Sequence, residues 1–402
     1  MKYLVIVADG AADRPQDWPG GKTPLVNAKL ENINNMARHG EVGTVKTIPD
    51  GIAPGSDAAN LAVMGYDPAT DLTGRSPLEA VSMGIDMDDT DVAFRTNLVT
   101  LTGDGDYEEL TIVDHSAGDI PGDDAEVLIK ELDAKLGEEG LKFHPGVSYR
   151  HALIIKNGSI DFDLTPPHDI LEKQIGGYLP KGSDAALITG LMKKSYEILK
   201  DHPINKKRVE QGLNPANSVW IWGHGRKPRL SSFYDKYGIK GTVVSAVDLI
   251  KGIGLCAGLE SVDVEGATGT IDTNYPGKTH ATVDAFKRGN DFVYVHVEAP
   301  DECSHQGNGK EKIRALEIID SKVVGPTYEY LKKRGEDFKM LIVPDHRTPV
   351  KIRTHSDEPV PFVIYDSRVD RYNEANAFTE ESGERGRYFP MGSQLADYFF
   401  NE

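Results

Sequence analysis

The stretch LIVPDHRTPVKIRTHSDEPVPF, residues 341–362, decides the fold and indicates where a site would form. Its apolar start is typical of a fully buried strand. Asp345 and His346 follow directly, where a strand of an open α/β sheet reaches its carboxyl edge and ligand sites gather. His355 comes later, in a Thr-His-Ser turn. One carboxylate and two imidazoles on loops suit Zn²⁺ or Mn²⁺, although a capping aspartate with two surface histidines would have the same spacing.

Length and charge exclude several classes of protein. A chain of 402 residues is long enough for two domains, or for one large domain that carries an insertion. The formal net charge of −18 argues against nucleic acid or an anionic membrane as a partner, but allows a small anionic substrate held by metals and arginines. Cys256 and Cys303 are the two cysteines, so no disulfide framework is expected. A short N-terminal apolar run and the lack of a longer one predict a cytoplasmic protein with no membrane span.

Two polar residues near the start of the chain stand at informative places. Residues 3–8 predict a central parallel strand, and Asp9 lies at its carboxyl end, although an aspartate before a glycine is also a common turn former. Ser56 is predicted to be the N-cap of a helix that starts near residue 57. The serine could be no more than that cap. It could also be a nucleophile, because the dipole and free N–H groups at a helix N-terminus favour phosphate.

The order of predicted strands and helices in the middle of the chain differs from that at its two ends. Strands are predicted at 92–101, 107–113, 148–155 and 219–222, with amphipathic helices at 123–136 and 184–200. This pattern indicates an inserted α+β domain over residues 91–220, followed by a return linker at 223–228. The core would then consist of residues 1–90 and 221–402.

The rest of the chain alternates strands with helices. We predict helices at 25–40, 247–258 and 310–334, and strands at 43–48, 241–246, 292–297 and 340–343, the last of these closing the core. Such alternation implies an α/β fold whose mostly parallel sheet is covered by helices on both faces.

A second pair of metal-ligand types follows the strand at 292–297. Asp301 and His305 are four residues apart, so they can converge on one ion from a single helical turn or a tight loop. This pair alone is weak evidence, but the full set of candidates follows predicted core strands or lies in Gly/Pro loops beside them. Three aspartates, three histidines and one serine are enough ligands for two divalent cations with open positions. The set is Asp9, Ser56, Asp301, His305, Asp345, His346 and His355.

Several segments, taken in order, resemble a known family. They are PGSDAANLAVMGYDP (54–68), DVAFRTNL (91–98), DHSAG (114–118), YRHALII (149–155), GATGTIDTNYPGK (266–278), HVEAPDECSHQG (296–307), VPDHRTP (343–349) and RTHSDEPVPF (353–362). Through them the chain resembles the archaeal-type branch of the cofactor-independent phosphoglycerate mutases, within the alkaline phosphatase superfamily. The resemblance covers nearly the whole chain, and it implies an alkaline-phosphatase-like core.

The resemblance also implies an activity and its cofactors. The expected reaction interconverts 3-phosphoglycerate and 2-phosphoglycerate in glycolysis and gluconeogenesis, through a phosphoserine at Ser56 and without bisphosphoglycerate. Two divalent ions (Mn²⁺, Mg²⁺ or Zn²⁺) are expected. Asp9, Ser56, Asp345 and His346 would surround one ion, and Asp301, His305 and His355 the other.

The inserted domain would serve as a cap that keeps the glycerate from escaping and water from entering. Candidates for contact with the substrate carboxylate and phosphate are Arg95, Asp114, His115 and Arg150, with Lys278 adding positive charge from a Gly/Pro-bounded loop. Each of these could instead be an ordinary surface residue. Another phosphotransferase or a phosphomonoesterase built on the same core is the alternative function, since the core residues handle only the phosphoryl group.

Overall fold

The computed structural model describes residues 1–401 of the chain, which contain sixteen strands and sixteen α-helices. The strands are β1 (Lys2–Ala8), β2 (Glu41–Val45), β3 (Val92–Thr102), β4 (Thr111–Asp114), β5 (Leu141–Val147), β6 (Arg150–Ile155), β7 (Phe162–Asp163), β8 (Lys173–Gln174), β9 (Lys181–Gly182), β10 (Ser218–Arg226), β11 (Gly241–Val244), β12 (Glu260–Val262), β13 (Phe292–Val297), β14 (Phe338–Val343), β15 (Val360–Asp366) and β16 (Arg387–Phe389).

The helices are α1 (Pro24–Asn27), α2 (Glu31–His39), α3 (Ser56–Val63), α4 (Pro68–Asp71), α5 (Ser76–Ser82), α6 (Gly122–Leu136), α7 (Ala185–Leu199), α8 (Pro203–Glu210), α9 (Phe233–Tyr237), α10 (Asp248–Cys256), α11 (Tyr275–Lys287), α12 (Ala299–His305), α13 (Gly309–Ile319), α14 (Gly325–Arg334), α15 (Glu380–Arg385) and α16 (Gly392–Asn401). A π-helical segment, Asp320–Val324, joins α13 to α14. Among the described residues no helix has both the length and the apolar character needed to cross a lipid bilayer.

The chain forms two compact units, of which the first comprises Met1–Leu72 and Arg229–Glu402. The sheet of this unit has eight strands in the order β12-β11-β13-β1-β14-β15-β2-β16. β15 alone of the eight runs opposite to the others, because it pairs antiparallel with both β14 and β2. The strands β1, β13 and β14 are buried along nearly all their length, which is expected when helices cover both faces. The predicted α/β class with a mostly parallel sheet is confirmed.

The second unit, Thr73–Pro228, is an α+β structure in itself. Five of its strands have the order β5-β6-β3-β4-β8, and β10 pairs antiparallel with β3. A large apolar core holds the unit together, with residues from the strands and from the long helices α6 and α7, and a smaller cluster contains Ala80, Met87, Ala93 and Ile154. The unit begins earlier than the predicted boundary at residue 91, because α5 belongs to it, and it ends later than 220, because β10 continues to Arg226 through a bulge after Trp222.

The structure differs from the sequence predictions at several elements. The strand at 340–343 is not the last core strand, since β15 and β16 follow it, and Pro361 lies within β15. The helix predicted over 25–40 is two helices, α1 and α2, separated at Ala28–Leu30. The helix predicted over 310–334 is interrupted by the π-helical segment, whose wider turn still keeps apolar residues on the buried side.

Candidate metal centre

Three adjacent parallel strands deliver polar residues to one edge of the first unit's sheet. β1 lies between β13 and β14, and Ala8 at the end of β1 pairs with Val297 at the end of β13. Asp9, the residue after β1, therefore lies level with the residues that follow β13 and β14 at the same edge of the sheet. Asp345 and His346 follow β14 two residues after its end, and α12 follows β13. This is the carboxyl edge at which the sequence predicts a site.

α12 carries Asp301 and His305 on one helical turn. His305 Nε2 lies 3.1 Å from Asp301 Oδ2. His355 approaches the same carboxylate from the loop after β14, with Nε2 3.4 Å from Asp301 Oδ1 and 3.0 Å from His305 Nε2. Three predicted ligands thus converge, and we call Asp301, His305 and His355 the outer group.

The ring orientation of both outer histidines leaves Nε2 available. Nδ1 of His305 lies 2.9 Å from the carbonyl oxygen of Arg353, and Nδ1 of His355 lies 3.3 Å from that of Pro54. A carbonyl oxygen can only accept, so each Nδ1 carries a proton, and in the neutral ring each Nε2 has a lone pair for a ligand bond.

Asp9, Asp345 and His346, which we call the buried group, are each at most 1% exposed. His346 Nε2 lies 3.6 Å from Asp9 Oδ1 and 3.5 Å from Asp345 Oδ2. Asp345 is held in place by the backbone N–H of Gly10, at 3.1 Å, and by the side-chain amide of Asn60, at 2.9 Å. Because Asn60 uses its amide in this way, it serves to orient Asp345, and the sequence pattern could not distinguish this from other uses of a polar helix residue.

The helix α3 directs Ser56 toward the buried group. Ser56 is the first residue of α3, with Gly55 as the N-cap, so the prediction of Ser56 as the cap was off by one position. Its hydroxyl is not folded back onto the helix but lies 3.2 Å from His346 Nε2. A hydroxyl at a helix N-terminus, next to carboxylates and an imidazole, can serve both as a ligand and as a nucleophile.

The charges of the buried group favour a cation. Burial, together with the carboxylates of Asp345 and Asp301, raises the pKa of Asp9 well above its ordinary range. Burial alone would raise the pKa of Asp345 as well, but the neighbouring imidazoles of His346 and His296 lower it. A bound divalent ion would relieve the repulsion among these carboxylates and reverse the shift at Asp9.

Two observations test whether the residues fit metal ions. Asp9 Oδ1 is buried and, within residues 1–401, has no hydrogen-bond partner, which is costly for a carboxylate unless a cation meets it. The donor atoms of the outer group lie 3.0 to 3.4 Å apart. Ligands about 2.1 Å from a tetrahedral ion are separated by about 3.4 Å, so this spacing suits such an ion. The donor set fits divalent metals at both places.

Two buried residues at the site were not among those predicted from the sequence. His296, at the end of β13, has Nε2 3.0 Å from Asp9 Oδ2. Thr348 hydrogen-bonds to both groups, through Asp301 Oδ1 and His346 Nδ1. Both residues are close in sequence to predicted ligands, and this could have identified them as candidates. It could not have shown which side chains they contact.

Lys278 lies elsewhere than predicted. It is in the first turns of α11 rather than in a loop, because Pro276 and Gly277 occupy the start of that helix, where proline is tolerated. Its side chain is 1% exposed and donates to the backbone oxygen of His296. Burial lowers the pKa of Lys278 to about 8.

The remaining predicted residues, Arg95, Asp114, His115 and Arg150, belong to the second unit. Three of them, Arg95, His115 and Arg150, belong to or lie beside a row of contacting rings. In this row His115 packs against Tyr149 and against His168, and His168 packs against Trp222. Arg150 is exposed and lies over the ring of Tyr149, while Arg95 lies over Trp222.

Two of these four side chains are engaged within the unit. The guanidinium of Arg95 donates to the carboxylate of Glu79 through Nε and Nη2. Asp114 accepts hydrogen bonds from Ser116, Gly118 and Asn214, so its carboxylate stabilises a turn. His115 and the exposed Arg150 remain the better candidates for contact with a ligand.

Known proteins resemble this chain along nearly its full length. The family model for 2,3-bisphosphoglycerate-independent phosphoglycerate mutase matches residues 37–205. The enzyme of that name from Methanosarcina barkeri is 48% identical over 387 residues, which is 96% of each chain. The one from Methanothermobacter thermautotrophicus, named mutase 2, is 42% identical over 96% of this chain and 95% of its own.

Solved structures agree with the sequence relatives. A protein of Pyrococcus horikoshii superposes with a TM-score of 0.81 at 28% identity, covering 99% of this chain and 96% of its own. The cofactor-independent phosphoglycerate mutase of Thermoplasma acidophilum superposes with a TM-score of 0.67 at 27% identity, over 99% of both chains. The expectation drawn from the sequence motifs is confirmed: this chain belongs to the 2,3-bisphosphoglycerate-independent phosphoglycerate mutase family of enzymes.

Proposed function

We propose that this protein interconverts 3-phosphoglycerate and 2-phosphoglycerate without bisphosphoglycerate, by way of a phosphoserine at Ser56 and with two divalent metal ions. The reaction would place it in glycolysis and gluconeogenesis. The observation that carries the proposal is the position of the Ser56 hydroxyl, 3.2 Å from His346 Nε2, beside a cluster of carboxylates and imidazoles. The name of the relative at 48% identity, a phosphoglycerate mutase independent of 2,3-bisphosphoglycerate, supports a phosphoglycerate as the substrate.

Ser56 carries the phosphoryl group between the two hydroxyls of glycerate. Its oxygen forms a bond to phosphorus while the bond from phosphorus to the 3-oxygen breaks; the serine loses its proton and the 3-oxygen gains one. The glycerate then turns, and its 2-oxygen takes the phosphoryl group, with the 2-hydroxyl losing a proton and Ser56 regaining one. No phosphate donor other than the substrate is consumed, which is why bisphosphoglycerate is not needed.

The residues that would hold the ions are those of the two groups. Asp9, Asp345 and His346, with Ser56, would hold one ion, and Asp301, His305 and His355 the other. Such ions neutralise charge on phosphoryl oxygens and lower the pKa of a bound hydroxyl. Mixed imidazole and carboxylate donors suit Mn²⁺ or Zn²⁺ better than Mg²⁺, which prefers oxygen ligands.

The second unit would bind the anionic glycerate and retain it during transfer. Arg150 offers an exposed guanidinium for a carboxylate or phosphate, and His115 lies beside it across Tyr149. Arg95 is a weaker candidate, because Nε and Nη2 of its guanidinium already donate to Glu79. A charged fork for the carboxylate would make the unit specific for glycerate among alcohols.

The test is a ³¹P NMR time course of the purified protein with Mn²⁺ and 3-phosphoglycerate, with no bisphosphoglycerate added. The expected result is conversion to 2-phosphoglycerate with little inorganic phosphate. Release of inorganic phosphate alone would instead identify a phosphomonoesterase. Ser56→Ala should lose several orders of magnitude in rate while keeping its fold. Ser321→Ala, at an exposed serine of the π-helical segment, should keep the wild-type rate. Substantial activity in Ser56→Ala would rule out the nucleophile.

A further inference from the structure

Thr348 lies between the two ligand groups and is completely buried. Its Oγ1 is 2.5 Å from Asp301 Oδ1 in the outer group and 3.1 Å from His346 Nδ1 in the buried group. His346 itself stands close to both groups, because its ligand atom lies within 4.8 Å of those of Asp301 and His355 and also of those of Asp9 and Asp345. One hydroxyl therefore touches a ligand from each group.

The protons that each group carries determine which atom donates in the two hydrogen bonds of the Thr348 hydroxyl. An ionised carboxylate can only accept, so the single hydroxyl proton of Thr348 must point to Asp301. The threonine oxygen can then only accept from His346, which places the histidine proton on Nδ1. His346 Nε2 keeps its lone pair, and this is the atom that faces Ser56, Asp9 and Asp345.

The backbone of Thr348 is also held firmly. Its carbonyl oxygen accepts from Nζ of Lys312 at 2.9 Å, and its N–H donates to the carbonyl oxygen of Ala12 at 3.3 Å. Lys312 is completely buried and binds Asp13 and Ala12 as well, so it ties the loop after β14 to the loop after β1. The hydroxyl has little freedom to turn elsewhere.

We infer that Thr348 is a positioning residue that selects the tautomer of His346, orients Asp301, and so couples ion binding at the two groups. This inference rests on the proposed two-metal function. Partners of this kind orient metal ligands, and their loss weakens metal affinity by about tenfold to a hundredfold. If one hydroxyl serves both groups, its removal must weaken both ions together.

The chain offers a matched set of variants. Thr348→Val removes the hydroxyl and keeps the shape, and Thr348→Ser keeps the hydroxyl. Thr327→Val removes an equally buried hydroxyl that bonds only to carbonyl oxygens of its own helical segment, Val323 and Val324. This third variant measures the cost of losing a buried hydroxyl as such.

The first measurement is Mn²⁺ titration of the metal-free proteins by calorimetry. Thr348→Val should weaken both binding events by about tenfold to a hundredfold, while Thr348→Ser and Thr327→Val stay within about threefold of the wild type. Wild-type affinity in Thr348→Val, or a loss confined to one ion, would overturn the inference. A wild type that binds two ions but lacks mutase activity would refute the proposed function and leave the role of Thr348 standing.

The second measurement does not depend on the folding of any Thr348 variant. Histidine-selective ¹⁵N labelling of the metal-free wild type, with His346 assigned by its absence in His346→Gln, reports which ring nitrogen is protonated. We expect the proton on Nδ1. A proton on Nε2 would overturn the inference, whatever the titrations show.

Discussion

The Nε2 atoms of His305 and His355 lie 3.0 Å apart, and both face the carboxylate of Asp301. Two imidazole nitrogens with lone pairs repel one another at this distance unless a proton or a cation lies between them. The hydrogen bond to Asp301 raises the pKa of His305 to about 9, so in the absence of a cation a proton lies between the two nitrogens. A divalent ion would take the place of that proton, so binding should release protons.

Metal content should follow from this arrangement. Chelation should remove activity, and Mn²⁺ should restore it. Asp301→Ala and His355→Ala, at positions far apart in sequence, should each retain about one ion per chain instead of about two, measured by elemental analysis after gel filtration. His280→Ala, at an exposed histidine on α11, should retain both. Full occupancy in either Asp301→Ala or His355→Ala would contradict the outer group.

Gly10 provides a separate test of the close packing at the site. Its φ is +63°, and a Cβ there would lie 2.6 Å from Thr348 Oγ1 and 2.8 Å from the Cα of Asp301. Gly20 has nearly the same φ, +62°, but a Cβ there would meet nothing within 4 Å. The two glycines therefore separate backbone strain from crowding.

Gly20→Ala should lose only the strain of a left-handed alanine, about 1–2 kcal/mol of unfolding free energy. Gly10→Ala should lose more, and its Mn²⁺ affinity should fall at least about tenfold, since Asp301 must shift. Thermal unfolding and Mn²⁺ titration of both variants check this. Equal stability and equal Mn²⁺ affinity in the two variants would show that the contact at Gly10 does not matter.

The residues predicted as ligands lie close together in the structure because their placement depends on local order along the chain. Asp9, Asp301 and Asp345 each follow a strand of the first unit's sheet, and parallel neighbours bring such residues to one edge. The i, i+4 spacing of Asp301 and His305 needs only a single turn of helix, which α12 provides. These inferences need no knowledge of which distant side chains touch.

Features set by tertiary contacts could not be predicted in this way. The role of Thr348 depends on contacts with Asp301 and His346 across 47 and 2 residues of sequence. The strand β15 was not predicted, and its Pro361, a residue usually confined to edge strands, is accommodated in an interior antiparallel strand opposite Thr44. Lys278 read as a loop residue because Pro276 and Gly277 precede it, although proline is common at a helix start.

His151 should make the second unit sensitive to acid. It is buried on β6, its Nδ1 accepts from the backbone N–H of Gly146, and burial lowers its pKa to about 3 from 6.5. The unfolded chain thus binds a proton between pH 6.5 and 3 that the folded chain does not, so stability falls as pH falls through this window. At pH 4 the loss relative to neutral pH is about 3 kcal/mol.

His151→Leu should remove this part of the pH dependence, although it also loses the bond to Gly146 and starts from lower stability at neutral pH. Urea unfolding between pH 7 and 4, followed by the fluorescence of Trp220 and Trp222 in a Trp18→Phe background, reports on the second unit. The relevant quantity is the slope against pH. An unchanged slope in His151→Leu would contradict the assignment.

Arg150 carries the proposal that the second unit retains glycerate. Its guanidinium is exposed over the ring of Tyr149, at 5.6 Å, and Tyr149 leads by ring contact to His115. Loss of a charge-assisted bidentate contact costs about 1.5–3 kcal/mol. Arg150→Ala should therefore lose about tenfold to a hundredfold in kcat/KM. Arg150→Lys should recover little, because an ammonium group cannot reproduce the fork of donors.

If Arg150 retains glycerate during transfer, its loss should have an effect that the loss of a simple binding contact would not have. Without Arg150 the glycerate should leave more often while Ser56 is phosphorylated, and water should then take the phosphoryl group. The ratio of inorganic phosphate to 2-phosphoglycerate, measured by ³¹P NMR, should rise in Arg150→Ala. Lys130→Ala removes one positive charge from an exposed position of α6 in the same unit, and it should change neither kcat/KM nor this ratio. If Arg150→Ala behaves like Lys130→Ala in both measurements, Arg150 is a surface residue and the glycerate is held by other groups.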